Sequence, residues 1–163
     1  MCIRDRYKVP QKLIYINAPS TYEETQNGYS KIYFVKNKKY IAITAEKSME
    51  ATELTKAQDI VFSKIKENVK DFTYINNLEI EQEKTEKINE IEMYRYEGKL
   101  ICGRTVKASA YVVGYTFIID KIPCNITGVV TEKEQNEESI QEIKSLVDEM
   151  ARTVRNTKDN IMD

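Results

Sequence analysis

The longest apolar stretch of the chain covers residues 108–119 and reads Ala-Ser-Ala-Tyr-Val-Val-Gly-Tyr-Thr-Phe-Ile-Ile. In a strand, one face of this segment carries Ala110, Val112 and Ile118. The opposite face carries Tyr111, Val113, Tyr115, Phe117 and Ile119. A strand that is apolar on both faces needs cover on both, so this segment predicts a central strand with layers packed on either side.

Strand-forming segments on both sides of this stretch extend the sheet. Residues 125–131 follow a reversal at Asp120-Lys121-Ile122-Pro123 and predict a neighbouring strand. Further strand patterns cover residues 13–16, 31–35, 40–45, 73–83 and 88–96. The mixed charges of residues 83–87 predict a solvated edge or loop rather than an interaction tail.

Two other segments have the helical period. Within residues 52–69 the apolar stripe consists of Leu54, Ala57, Val61, Ile65 and Val69. The second helix is predicted to begin at Ser139 as N-cap, with Glu142 completing a capping box and an apolar stripe from Ile140 to Val154. Isolated helices of this length are marginal in water, so both are expected to dock on the sheet. The order of three strands, a helix, four strands and a helix predicts an α+β fold, a largely antiparallel β-sheet covered by helices.

Composition limits the classes of function. The chain has 163 residues, enough for one core that buries about 70% of the unfolded surface. Its 25 basic and 26 acidic residues leave a formal charge of −1, so we predict no nucleic acid partner. Histidine is absent, which removes the commonest general base, the Ser-His-Asp and Cys-His arrangements and the usual zinc ligand. We therefore predict no enzyme activity, no cofactor and no metal site.

The first six residues, Met-Cys-Ile-Arg-Asp-Arg, resemble a translated sequencing adapter joined to a truncated reading frame. We expect residues 1–12 to be this artefact and a disordered start, residues 13–155 to form a single domain, and residues 156–163 to be a polar tail. An export signal would then have preceded the domain. Contact with a membrane is expected only through that lost N-terminal anchor, because no run of about 18 apolar residues follows.

Two side-chain types are candidates for special roles. Outside the first six residues the cysteines are Cys102 and Cys124, which could close a disulfide in an oxidising compartment or remain two independent buried thiols. The chain also has eleven tyrosines and no tryptophan. We expect four of them to lie near one another, either as an aromatic ligand pocket or as ordinary cover for a sheet: Tyr94, Tyr96, Tyr111 and Tyr115.

The order of elements resembles the PsbP-like α/β/α sandwich. The resemblance rests on a hairpin at residues 30–45 that leads into the first helix, the segment at residues 88–96, the long strand to Ile119 and the closing helix through residues 150–154. Relatives often have Asn-Gly where this chain has Asn89-Glu90, so the type of that turn stays open. Members of this superfamily include an extrinsic photosystem subunit, a nuclear transport cofactor and small bacterial lipoproteins. The resemblance implies the fold and no catalytic residues.

Three functions stay open at this stage. The first, which we favour, is a non-enzymatic, extracytoplasmic, lipoprotein-type binding or scaffolding domain that acts on a protein partner at the cell envelope. Isoleucine outnumbers leucine 20 to 5, which suggests a low-GC bacterium as the source. The second is a cytoplasmic protein-binding adaptor of the same fold. The third is a small-ligand carrier with a tyrosine-lined pocket.

Overall fold

The computed structural model describes residues 7–9, 14–16, 21–27, 31–46, 49–68, 75–102, 108–131 and 135–156. Five strands precede the first helix: β1 (Tyr7–Val9), β2 (Ile14–Ile16), β3 (Glu23–Asn27), β4 (Lys31–Lys36) and β5 (Lys39–Ala45). The remaining elements are α1 (Leu54–Asn68), β6 (Ile75–Ile88), β7 (Ile91–Cys102), β8 (Ala108–Ile119), β9 (Ile122–Val130), α2 (Glu137–Arg152) and β10 (Arg155–Asn156).

Seven strands form one antiparallel sheet in the order β3-β4-β5-β9-β8-β7-β6. Helix α2 packs on one face over β5, β9 and β8, and α1 packs on the other face over β6 to β9. Strand β8 therefore has a strand on each side and a helix on each face, as its two apolar faces predicted. The predicted α+β fold, an antiparallel sheet covered by helices, is confirmed. The charged segment at residues 83–87 lies in β6, at the edge of the sheet.

The two faces of β8 contribute to two cores. Val113, Tyr115 and Phe117 belong to the larger core, which lies under α2. Ala110 and Val112 belong to a smaller core under α1. Alternate side chains of a strand point to opposite faces, so this one strand joins both layers.

Helix α2 packs closely against the sheet above Gly128 of β9. A Cβ at this position would lie 2.6 Å from Cγ2 of Ile143 and 2.7 Å from Cγ2 of Val147. Both side chains are fully buried. Glycine is needed here because any side chain would push the helix off the sheet.

The start of α2 differs from the prediction. Asn136, not Ser139, is the N-cap: it has extended backbone, and its side-chain oxygen accepts a 2.9 Å hydrogen bond from the Ser139 backbone N–H. Ser139 lies in the first turn of the helix, so it cannot form the predicted capping box. Glu142 instead accepts hydrogen bonds from Tyr22 and Lys39.

Three two-residue turns reverse the chain between neighbouring strands: Asn37-Lys38, Asn89-Glu90 and Asp120-Lys121. Both residues of each turn have positive φ. This is the type I′ geometry, whose twist matches that of the flanking strands. The turn at Asn89-Glu90, left open by the sequence, is of the same type as the other two.

A second sheet, with strand order β1-β2-β10, joins the two ends of the described chain. Tyr7–Val9 pairs with Ile14–Ile16, so the expectation of a disordered start through residue 12 is wrong for these residues. Residues 1–6 lie outside the described ranges. Arg155–Asn156 also pairs with β2, so Asn156 belongs to the small sheet and not to the expected polar tail. Residues 157–163 lie outside the described ranges. Strand β3 was missed as well, because Glu23–Asn27 is polar and lies at the edge of the large sheet.

Candidate functional site

The four tyrosines expected to cluster lie on opposite faces of the sheet. Tyr94 and Tyr96 of β7 face α1, with their ring centroids 6.0 Å apart, and Phe62 of α1 packs edge-on against Tyr96 at 5.0 Å. Tyr111 and Tyr115 of β8 face α2. The expectation that the four lie near one another is therefore wrong, and they do not line one pocket, because side chains with odd and even numbers in these paired strands point to opposite faces.

Tyr96 belongs to a buried polar network under α1. Its hydroxyl lies 2.9 Å from Oδ1 of Asn125 and 2.7 Å from Oγ1 of Thr127, both on β9. Burial raises the pKa of Tyr96 well above its usual range. The hydroxyl is satisfied within the core, so this network anchors β7 to β9 across β8 and offers no group to a ligand.

On the opposite face, Arg95 of β7 joins the sheet to α2. Its Nε donates to Oδ1 of Asp148 at 3.0 Å, and its Nη1 donates to Oε1 of Glu97 at 3.2 Å. Arg95 is only 8% exposed, so this guanidinium is a buried charge that depends on its two carboxylate partners. Burial by itself would lower the pKa of Arg95, but the hydrogen bonds and charge of Asp148 outweigh burial and raise it.

Two tyrosines of β8 complete this network. The Tyr115 hydroxyl donates to Oδ1 of Asp148 at 2.6 Å, and the Tyr111 hydroxyl donates to Oε2 of Glu97 at 2.8 Å. Burial, together with these carboxylates, raises the pKa of both tyrosines. Each carboxylate is therefore held by Arg95 and by one protonated tyrosine.

The network forms the floor of a cleft of about 300 Å³ between α2 and the outer strands β6 and β7. Its walls consist of Gln82, Glu83, Lys84, Arg95, Glu97, Tyr115, Lys144, Asp148 and Arg152. Helix α2 packs mainly over β5, β9 and β8, and the sheet beside it carries charged rather than apolar side chains. This corner is the candidate functional site, because it combines a recess with a preorganised set of charges.

The end of the cleft is held by the β6–β7 turn. Nδ2 of Asn89 donates to the carbonyl oxygens of Arg152 at 2.9 Å and Val154 at 3.0 Å. These carbonyls lie at the C-terminal end of α2, where the helix leaves its last acceptors without intrahelical partners. The turn thus fixes the position of α2 relative to the β6–β7 hairpin.

A second, shallower recess of about 430 Å³ lies on the other side of α2. It is lined by Thr21, Tyr22, Glu138, Gln141, Glu142, Ser145 and Leu146. At one side Glu142 accepts from the Tyr22 hydroxyl at 2.6 Å and pairs with Lys39 at 2.7 Å. Burial opposes ionisation of Glu142, but the hydrogen bonds from Lys39 and Tyr22 lower its pKa below the usual range.

The sequence analysis missed the charged cleft. Its signal was present in β7, where Arg95 and Glu97 alternate with tyrosines and share the strand with the apolar Met93 and Leu100. Two charges on one face of a buried strand require partners. Those partners, Lys144 and Asp148, come from a helix about fifty residues later, which the pattern in β7 cannot identify.

The disulfide left open by the sequence is not formed. Cys124 is a free, buried thiol, and burial raises its pKa well above the usual range. In the register of the sheet, Cys102 pairs with Ala108 and Cys124 pairs with Phe117, at nearly opposite ends of β8. Those positions are about 30 Å apart along a strand, whereas a disulfide needs Cα atoms within about 7 Å.

Within the described ranges, no group of three or more His, Cys, Asp or Glu residues could hold a metal ion. None of the helices in that part of the chain has the length and apolarity needed to cross a membrane.

Comparisons with known proteins identify similar structures but no similar sequences. No protein-family model matches the chain, and no curated protein sequence matches it. The solution structure of cyanobacterial PsbP (CyanoP) from Synechocystis sp. PCC 6803 matches with a TM-score of 0.63 and 12% identity, over 96% of this chain and 94% of that one. A point mutant of the protein Mog1 matches with a TM-score of 0.69 and 10% identity, over 96% and 97% of the two chains.

A crystal structure from Bacteroides thetaiotaomicron also matches, with a TM-score of 0.54 and 13% identity over 94% of this chain. This chain spans 48% of that longer protein, about half its length. Identities this low carry the fold and no activity. The chain therefore has a PsbP/Mog1-like fold, an antiparallel sheet between two helices.

Proposed function

We propose that this chain is a non-enzymatic binding domain that docks a partner protein at the charged cleft beside α2. One observation carries the proposal: the floor of the cleft is a rigid network in which Arg95 is held by Asp148 and Glu97, while charged side chains remain exposed at the rim. Fixed charges of this kind position and select a partner more than they add raw affinity.

The state of the ionisable groups favours binding over catalysis. A general acid or base needs a pKa near the working pH and access to substrate. Tyr111 and Tyr115 have raised pKa values and donate to carboxylates of the chain itself, so they stay protonated near neutral pH. Asp148 and Glu97 are occupied by those tyrosines and by Arg95. These groups therefore hydrogen-bond to one another, which favours a structural role over proton transfer to or from a substrate.

For the compartment we propose an extracytoplasmic, lipoprotein-type domain of the cell envelope in a low-GC bacterium. The support is the resemblance to a superfamily that contains bacterial lipoproteins. The free thiol of Cys124 removes the disulfide as an argument for an oxidising compartment. A cytoplasmic adaptor of the same fold is the alternative. Fractionation of cells that express the gene from its native locus distinguishes the two: membrane-bound, protease-accessible protein supports the first, and protein in the soluble cytosolic fraction contradicts it.

Docking can be tested by site-specific photo-crosslinking. A photoreactive phenylalanine analogue is placed at position 82, an exposed position of the cleft wall that carries no charge, and, as a matched control, at position 56 on α1, on the other side of the sheet. We expect one protein to be crosslinked from position 82 only. That protein, once purified, should bind the unmodified chain in calorimetry. Equal crosslinking from both positions, or absence of binding by the purified protein, would contradict the proposal.

A further inference from the structure

We infer that the partner inserts an acidic side chain, a carboxylate of Asp or Glu, into this cleft. The inference deepens the proposed function and rests on it. It starts from the charges of the cleft walls. Four cations line the cleft, Lys84, Arg95, Lys144 and Arg152, against three carboxylates, Glu83, Glu97 and Asp148.

One of those carboxylates is directed away from the cleft. Glu83 accepts a hydrogen bond from Tyr94, whose ring stacks on Tyr96 on the α1 side of the sheet. Inside the cleft, four cations therefore face Glu97 and Asp148, and a third carboxylate, Glu86, pairs with Lys84 at 3.1 Å. This local excess of positive charge occurs in a chain with a formal charge of −1, so it is a property of the site and not of the overall composition.

The two inner carboxylates are already occupied. Oδ1 of Asp148 accepts from Arg95 and from Tyr115. Oε2 of Glu97 accepts from Tyr111 and lies 3.4 Å from Nζ of Lys144. A cationic group entering the cleft would have to compete with these buried donors for the same oxygens. A carboxylate entering at the rim would instead compete with Glu86 for Lys84, whose side chain is 57% exposed.

The two cations at the rim, Lys84 and Arg152, are more accessible to a ligand than the buried Arg95. The Lys84 side chain is 57% exposed, and it pairs at 3.1 Å with Glu86, whose side chain is 23% exposed. Arg152 is exposed at the end of α2, and its backbone is held by Asn89. Lys84 and Arg152 stand on opposite walls, so a carboxylate between them would gain one cation from each side.

The size of the cleft limits what enters. A volume of about 300 Å³ lies at the lower end of the range for small-molecule pockets. It accommodates one side chain of a docked segment, while the rest of the segment lies across the rim. The geometry thus fits an acidic segment of a protein.

The test uses a hexaglutamate peptide as probe, titrated into the ¹⁵N-labelled chain and followed by backbone amide shifts. We expect the shifts to be concentrated at residues 82–84, 95–97 and 144–152. Lys84→Glu/Arg152→Glu should weaken binding by about tenfold or more. Lys56→Glu/Lys121→Glu, which changes the total charge equally at exposed sites outside the cleft, should change affinity less than about twofold. The neutral pair Lys84→Gln/Arg152→Gln should be intermediate.

Several results would overturn the inference. Equal weakening by the cleft and control variants would show that only total charge matters. Hexalysine that shifts the same amides with equal affinity would remove the preference for acid. Inorganic phosphate that saturates the same shifts at lower concentration than hexaglutamate would assign the cleft to a phosphate group. Crosslinking from position 82 without hexaglutamate binding would overturn the inference and leave the proposed function standing. Hexaglutamate binding without a crosslinked protein would contradict the proposed function, and with it the inference about a partner protein, while leaving the cleft as a site that binds acidic groups.

Discussion

Tyr96 of β7 and Gly114 of β8 are direct cross-strand partners, and the tyrosine ring lies over the glycine. A Cβ at position 114 would lie 2.4 Å from the Tyr96 hydroxyl oxygen and 2.7 Å from the Ile126 carbonyl oxygen. The absence of a side chain at position 114 lets the ring cross β8 and reach its hydroxyl partners on β9. One glycine in the central strand thus decides how the buried network under α1 is built.

Gly114→Ala should destabilise the chain by about 2 to 3 kcal/mol, because the added methyl group overpacks a rigid core. The measurement is urea denaturation. In a double-mutant cycle, Tyr96→Leu should relieve part of this cost, so that the double variant is about 1 kcal/mol more stable than the sum of the single effects. Strict additivity would mean that the ring is not what excludes a side chain at position 114.

Arg95→Met should cost about 2 to 4 kcal/mol of unfolding free energy, because it leaves Asp148 and Glu97 without their buried cation. Lys84→Met is the matched control. It removes a cation whose side chain is 57% exposed and should change stability by less than about 1 kcal/mol. Chemical denaturation of both variants provides the comparison, and similar losses would show that the Arg95 network is no stronger than a surface pair.

Asn89→Asp should destabilise the chain by about 1 to 2 kcal/mol, since the carboxylate cannot donate and places negative charge at the C-terminal end of α2. Aspartate tolerates positive φ nearly as well as asparagine, so the substitution should leave the backbone conformation of the turn unchanged. Asn37→Asp, at the same position of an exposed type I′ turn, is the control and should be nearly neutral. Hydrogen exchange should become faster at the end of α2 in the first variant only.

Asn136→Ala should cost about 1 kcal/mol, the usual value of an N-cap. Ser139→Ala should cost less than about 0.5 kcal/mol, because position 139 lies inside the helix, where alanine is favourable. Thermal denaturation of the two variants compares the cap seen in the structure with the one predicted from the sequence. A larger loss of stability in Ser139→Ala than in Asn136→Ala would support Ser139 as the N-cap, as predicted from the sequence.

Stability should be independent of tyrosine ionisation below about pH 10 and should decline above it. The unfolded chain loses tyrosine protons near that pH, whereas Tyr96, Tyr111 and Tyr115 keep theirs in the folded state because their pKa values are raised. The folded state then binds more protons, so a rising pH favours unfolding. Urea midpoints across this range, compared with Tyr111→Phe/Tyr115→Phe, should show a smaller decline for the variant. An identical decline in both proteins would contradict the assignment of this pH dependence to Tyr111 and Tyr115.

Most elements of the fold were predictable because their signals are local. The two apolar faces of Ala108–Ile119 required a covered central strand, and the helical period near Leu54 and after Ser139 required docked helices. The elements that escaped prediction have weak local signals. Glu23–Asn27 is a polar edge strand, and β1 and β10 of the small sheet are only three and two residues long. Asn136 was missed as a cap because several polar residues around it compete for the same role.

The sequence by itself determined the class of this protein: an antiparallel sheet with a two-faced central strand, no histidine and almost no net charge. Only the tertiary structure decided which polar and aromatic side chains come together in space. It divided four tyrosines between two faces and separated Cys102 from Cys124 along β8. It also brought Arg95 to Asp148, 53 positions away. The physical reason is that periodicity states which side of an element a residue occupies, whereas strand register and helix placement decide what lies opposite it.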